Sequence, residues 1–335
     1  MPLPSIRMPA LTAENQSVDD SSETWDLENF RERLTVQVQR LSNRSIEFDL
    51  VGVDASIANA LRRVMMAEVP TTAVENVFIF TNTSVIADEV LSHRMGMIPL
   101  NIDPALMTMR SEELTDRDTV VFRVDIECRR NYDAPEGSTK DSELYINHEL
   151  LSSHLTWIPQ GEQATVFRDK SPAPTNPNIV LAKLRPGQEI RMDLHVAKGY
   201  GQDHAKFSPV ATASYRILPS ITLNPQKPVP PELALKFQRC FSPGVIHVDP
   251  VTKAVSVKDA RKDTVSREAL RHPEFNGRFT QGRVKNHFLF NVESEGPYAP
   301  ERLLIEALIC MRQKIAAIKE AAVALLDEDV EMAES

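Results

Sequence analysis

Near the C-terminus, Leu304, Leu308, Met311, Ile315, Ile318, Ala322 and Leu325 recur at alternating spacings of four and three. That is a sustained seven-residue repeat, the pattern of a helix packed along another helix. Pro300 is well placed at its first turn, where its missing amide costs nothing. A long helix lying on a sheet can give a similar stripe. This seam outlasts what a small sheet needs, so the helix is read as shared with a second chain. The residues from Asp327 onward are acidic and are expected to fray as a tail over 327–335.

A second helix is predicted from Asp54 to Pro70. Asp54 can cap it, and Ile57, Leu61, Val64 and Glu68, with Ala60 and Met65 beside them, follow helical spacing. Pro70 stops it and biases Val69 away from the helical region. Arg62 and Arg63 sit in its middle. They can lay their stems over the rim of a core with their heads in water, or they can serve a partner.

The run Asn59-Ala60-Leu61-Arg62-Arg63, ending in Glu68-Val69-Pro70 and followed by a strand, resembles the assembly helix of RNA polymerase alpha-type subunits. The resemblance extends from about Leu34 to the end of the last helix. It implies an α+β protein, in which a discontinuous dimerisation domain (31–88 and 212–326) carries an inserted, mainly antiparallel β domain (89–211). It also implies that Ile57, Leu61, Val64, Leu304, Leu308, Met311, Ile315 and Ile318 face a small alpha-like subunit. Arg63, with Arg62 beside it, would then face the second-largest subunit, where a planar guanidinium can pair bidentately with carboxylates or carbonyls.

Composition agrees with a protein-binding role. The 335 residues leave room for two domains. A net charge of −9 with no long Lys/Arg run makes a poor holder of phosphate backbones, so no direct nucleic-acid contact is expected. No apolar stretch approaches the roughly 18 residues of a membrane span, and the N-terminus lacks a leader's apolar core; a soluble, intracellular protein is expected. Cys128, Cys240 and Cys310 are too scattered for a local metal clip, and neither a metal nor a cofactor is expected.

Along the chain, residues 1–30 read as a mobile arm anchored only by Trp25 and Phe30. Leu34, Val36 and Val38, then Ile46, Phe48 and Leu50, alternate as the buried face of a hairpin. A strand from Ala73 to Phe80 precedes a helix containing Val90, Leu91 and Arg94, with Gly96 as its stop; His93 on it is read as structural. Val120, Phe122, Val124, Ile126 and Cys128, and again Ile190, Met192, Leu194 and Val196, mark half-buried strands. The loop 201–209 carries Asp203, His204 and Lys206. These could form an acid/base set or half a metal site, but with no partner ligands to count, a polar interface loop is favoured. The tract Lys258–Glu268 interleaves both signs of charge, Arg261 and Lys262 among them. It is either a solvated loop with a helix start at Thr264 or Ser266, or a protein interface.

There is no P-loop, GxSxG or HExxH and no GxGxxG after a strand, which lowers the expectation of an enzyme. The branch most resembled is the larger alpha-like subunit shared by eukaryotic RNA polymerases I and III. The polymerase II relative carries a zinc-binding cysteine cluster after the position of His93, whereas Asn101–Arg110 here has no cysteine. Some archaeal relatives carry cysteines for an iron–sulfur cluster, which Cys128 alone cannot support. The resemblance implies a non-catalytic scaffold in the nucleus, including the nucleolus. There it would pair with the small alpha-like subunit, nucleate the largest and second-largest subunits, and meet other small polymerase subunits. The corresponding subunit of polymerase II or of archaeal polymerase is the alternative, and a free-standing enzyme using Asp203, His204 or His93 is the more remote one.

Overall fold

The computed structural model describes residues 26–135 and 137–334, with side chains as far as 325. The expected arm therefore lies outside the described residues up to Trp25, as do the side chains of the expected tail. Residues 27–30, assigned to that arm, instead open α1 (Leu27–Arg33), because the Asp26 carboxylate accepts from the Asn29 amide at 3.1 Å and caps the helix.

The hairpin β1 (Thr35–Leu41) and β2 (Ser45–Val51) forms as the alternation predicts. Only one of its strands is buried. Ile46, Phe48 and Leu50 are inside, while every residue of β1 is exposed, Val36 and Val38 at 48% and 56%. The expected shared face fails on β1, an outer strand of its sheet, because period two records the pleat and not whether anything packs against the face. Then come α2 (Ala55–Ala67), β3 (Thr71–Asn82) and α3 (Asp88–Gly96).

The segment that follows contains β4 (Val120–Glu127), β5 (Arg129–Arg130), α4 (Asp141–Leu144), β6 (Tyr145–Ile146), β7 (Glu149–Leu151), β8 (Thr156–Ile158), α5 (Gln163–Val166), β9 (Val180–Lys183) and β10 (Glu189–Gly199). The chain then continues through β11 (Val210–Leu223), α6 (Ala234–Arg239), β12 (Ile246–Val248), β13 (Val255–Val257), β14 (Phe279–Ser294) and α7 (Pro300–Glu334). One sheet has the order β1-β2-β14-β11 and a second β3-β10-β4-β8. The fold is α+β.

Two compact units emerge. In the larger (40–47, 59–214 and 291–335), β10 pairs antiparallel with both β3 and β4. The alternating residues of β4 and β10 meet Leu91 and Met95 of α3 in one core. Ile102 and Met107, from the segment without cysteines, plug the same core, and Cys128 is buried in it. In the smaller unit (up to 39, 48–58 and 215–290), Phe48 stacks on Phe290 at 4.9 Å, and the Tyr215 ring lies 5.2 Å from Phe290. A second cluster there centres on Phe237, with Phe241, Phe275 and Phe279 rings 5.0–5.2 Å away.

Beyond 326, where a frayed tail was expected, the backbone stays helical to Glu334. Residues 327–334 contain neither Gly nor Pro to end it.

Candidate assembly surfaces

Helix α2 begins as its sequence predicts. The Asp54 carboxylate accepts from the Ser56 amide at 2.7 Å, and hydrogen bonding from the Ser56 side chain, then its backbone, holds the carboxyl below its usual range. The expected partner-facing stripe divides. Leu61 and Val64 are 3% and 5% exposed and are spent on the chain's own interior, with Ala58 and Met65 beside them. Only Ile57, 36% exposed, keeps area to offer. The stripe splits because Ala58, Leu61 and Met65 repeat as regularly as Ile57, Leu61 and Val64, and a small alanine turned inward lets the backbone approach closely.

The arginine pair behaves unequally. Arg62 forks onto Asn59 Oδ1 through Nε and Nη2, at 3.2 and 2.9 Å. Arg63 is exposed and has no partner among the described residues. A guanidinium left in water on a rigid helix is free to pair elsewhere without first breaking an internal bond.

Helix α7 has two characters. Its first turns are clamped. Arg302 donates to Asp103 at 2.7 Å and to Glu306 at 2.9 Å, and these bonds, Asp103 first, push its guanidinium pKa up. Burial alone would raise the Asp103 carboxyl, but Arg302 holds it below its usual range. The Tyr298 hydroxyl, just before the helix, donates to the Pro70 carbonyl at 2.9 Å, and burial pushes its pKa up. Leu303 and Ala307 are fully buried. Lys314 then reaches both carboxylate oxygens of Glu68, each at 2.9 Å.

From Arg312 to Leu325 every residue of α7 is exposed. Leu308, Ile315, Ile318 and Leu325 of the predicted seam stand 50–67% exposed, with Val323 at 48% beside them; Leu304 and Met311 are half-buried. The chain's own core thus takes the neighbouring row, Leu303 and Ala307, and the seven-residue seam is left largely bare.

The two charged loops are structural anchors first. Lys206 donates to the Val74 carbonyl at 2.9 Å, meets the Glu75 carboxylate at 2.6 Å and lies over the Phe207 ring. His204 Nδ1 accepts from the Lys206 amide, and Asp203 is exposed. His204 and Lys206 line a groove of about 550 Å³ with Phe78 of β3 and His93 of α3, so residues far apart in sequence share one wall.

The 258–268 tract is neither solvated throughout nor the start of an α-helix. Arg261 pairs at 2.6 Å with Asp49, which is 3% exposed and also bound by His287 and Gln39. Burial would raise the Asp49 carboxyl, yet the bonds and charges of Arg261 and His287 leave it lowered. Arg216 crosses to the carbonyls of Arg261 and Asp263. Val265 and Arg267 adopt left-handed φ of 56° and 59°, which breaks the expected helix, and only a 3₁₀ turn forms at Glu268–Arg271. Lys262 stays exposed, 3.7 Å from Asp259. Local sequence gave no sign of Asp49, Lys314 or Tyr298, whose partners lie 212 to 246 residues away along the chain.

The described surface thus carries an apolar helix fixed at its base and bare from Arg312 to Leu325, and, on α2, an arginine with no partner among the described residues. The sequence profile of the RNA polymerase Rpb3/Rpb11 dimerisation domain matches residues 47–315. The chain belongs to the Rpb3/Rpb11 family. Within this family it is 47% identical over 306 residues to a Saccharomyces cerevisiae protein, covering 90% of this chain and 91% of that one. That protein is named DNA-directed RNA polymerases I and III subunit RPAC1. The human protein of the same name is 47% identical over 291 residues, 85% of this chain and 84% of that one. A Dictyostelium discoideum protein named DNA-directed RNA polymerase II subunit rpb3 is 31% identical over 296 residues, 85% of this chain and 93% of that one.

Proposed function

We propose that this chain is the larger alpha-like subunit of RNA polymerases I and III, a non-catalytic scaffold of the nucleus. It pairs with a small alpha-like subunit through the bare seam of α7 and the Ile57 end of α2. The pair then offers Arg63, with Arg62 held ready by Asn59, to the second-largest subunit, while the largest and the other small subunits join afterwards. The discontinuous dimerisation domain and the inserted β domain divide these tasks. Catalysis resides in the large subunits.

The observation that carries the reading is the distal half of α7, where every side chain from Arg312 to Leu325 is exposed although isoleucines and leucine recur along it. A water-exposed seam of this length is costly unless it is covered. The 47% identity to proteins named as subunits of polymerases I and III, against 31–32% for those named as polymerase II subunits, favours the shared subunit.

The test is to tag the chain in its native cell, purify at moderate salt and identify what co-purifies by mass spectrometry. Two polymerase sets sharing one small alpha-like partner are expected. A single set would overturn the assignment to polymerases I and III, and the bait alone would overturn the scaffold reading.

A further inference from the structure

We infer that Thr264 is a phosphorylation site read by an arginine-directed protein kinase, with Arg283 positioned to hold the resulting phosphate. This goes beyond the scaffold reading and does not depend on it.

The sequence around Thr264 is Arg261-Lys262-Asp263-Thr264-Val265. Basic residues three and two positions before a hydroxyl, with an apolar residue after it, suit the acidic peptide cleft of kinases that read arginine by charge-assisted pairing. Such enzymes bind their target as an extended segment, so a hydroxyl inside a regular helix or strand is a poor substrate. Thr264 is exposed, and residues 263–267 belong to no helix or strand. Two left-handed residues, Val265 and Arg267, keep the chain out of regular structure there. The Thr264 hydroxyl lies 3.2 Å from the Ser242 hydroxyl, a bond that water can replace at little cost.

A second observation concerns what the phosphate would meet. Thr264 and Val265 line a groove of about 370 Å³ with Arg216 and Arg283. Arg216 is occupied by the carbonyls of Arg261 and Asp263. Arg283 is exposed on β14 and has no partner among the described residues. An unpaired guanidinium sharing a groove with an exposed hydroxyl is a ready receiver for a dianion. The neighbouring Asp263 carboxylate would repel the phosphate, but it is 1% exposed and accepts from Gln281 at 2.6 Å, so it faces inward. Arg261 is engaged by Asp49; the kinase must open that pair to read it, which makes transfer slower on the folded chain than on a free peptide. The Thr264 oxygen attacks the γ-phosphorus of ATP, its proton passes to the kinase's base, and ADP leaves.

The experiment uses the full-length chain with the catalytic subunit of a cyclic-AMP-dependent kinase and ATP, read by peptide mass spectrometry. One phosphate on Thr264 is expected, retained in Thr264→Ser and lost in Thr264→Ala. A peptide covering 258–268 is expected to be modified faster than the folded chain. Arg283→Ala is expected to leave phosphorylation intact but to speed removal of the phosphate by a phosphatase roughly fivefold, because the charge-assisted bond is gone. No phosphate on Thr264, or phosphate on Ser266 in its place, would overturn the site. Unchanged dephosphorylation in Arg283→Ala would overturn the role of Arg283.

Discussion

Replacing Ile315 and Ile318 together by alanine should separate the stability of this chain from its ability to pair. Fully burying an isoleucine contributes about 1.5–3 kcal/mol. These two are 64% and 67% exposed, so about two-thirds of that burial, roughly 1–2 kcal/mol each, is still open for a partner to provide. Alanine keeps the first side-chain carbon, so the double variant should bind its partner more weakly by about 2–3 kcal/mol, roughly 30- to 150-fold in Kd. The isolated chain should hardly notice. Both side chains stand in water, and alanine favours helix slightly, so unfolding free energy should stay within about 0.5 kcal/mol of the parent. Leu303→Ala, on the fully buried row of the same helix, should do the reverse and cost about 2–5 kcal/mol of stability. Urea unfolding followed by circular dichroism reads the first quantity. Titration calorimetry with the small alpha-like subunit reads the second. The reasoning is refuted if the double alanine variant destabilises the lone chain by 2 kcal/mol or more, on the order of a buried leucine's loss, or if it binds the partner normally.

Arg63→Glu should leave folding and the pair intact, because the side chain has no partner among the described residues, yet weaken capture of the second-largest subunit in co-purification; full capture would remove Arg63 from that interface. The Asp49 carboxyl is lowered by Arg261 and His287 against its burial. Its stabilisation is therefore present above the ordinary carboxylate value of about 4 and is lost as pH falls through the lower folded value. Arg261→Ala should cost about 2–4 kcal/mol near neutrality and lose less of its remaining stability on acidification than the parent, because the folded Asp49 carboxyl is no longer held so far below its unfolded value; parallel urea-midpoint curves between about pH 3 and 7 would contradict this. Gly201→Ala would place a Cβ 2.3 Å from the Met66 carbonyl oxygen, so a loss of about 1–3 kcal/mol is expected, and an unchanged Tm would show that the loop yields freely.

Much of the fold was legible because its signals are local. The Asp54 cap, the Pro70 stop and the alternation of β4 and β10 each depend on residues within one element, and each formed. The candidate assembly surfaces were legible only in part. A seven-residue repeat announced that α7 has a long apolar flank, but Leu303 and Ala307 lie one step away from Leu304 and Leu308, and periodicity alone cannot say which row a chain keeps for itself. Alternation likewise made β1 look half-buried, since it records the pleat and not whether anything packs against the face, which is bare in β1 and partly covered in β11, the other outer strand of the sheet. The charged tract 258–268 looked solvated because its anchor, Asp49, is 212 residues distant. Contacts of that span leave no mark in a window of ten residues.

On the proposed pairing, the bare half of α7 would also give the chain a way to report its own surplus. A copy joined to its partner would hide Ile315, Ile318 and Leu325, while a lone copy displays them along a helix, the kind of surface that holdase chaperones bind and quality-control proteases recognise. Stoichiometry between the two subunits could then be kept without a dedicated regulator, since the excess marks itself for removal.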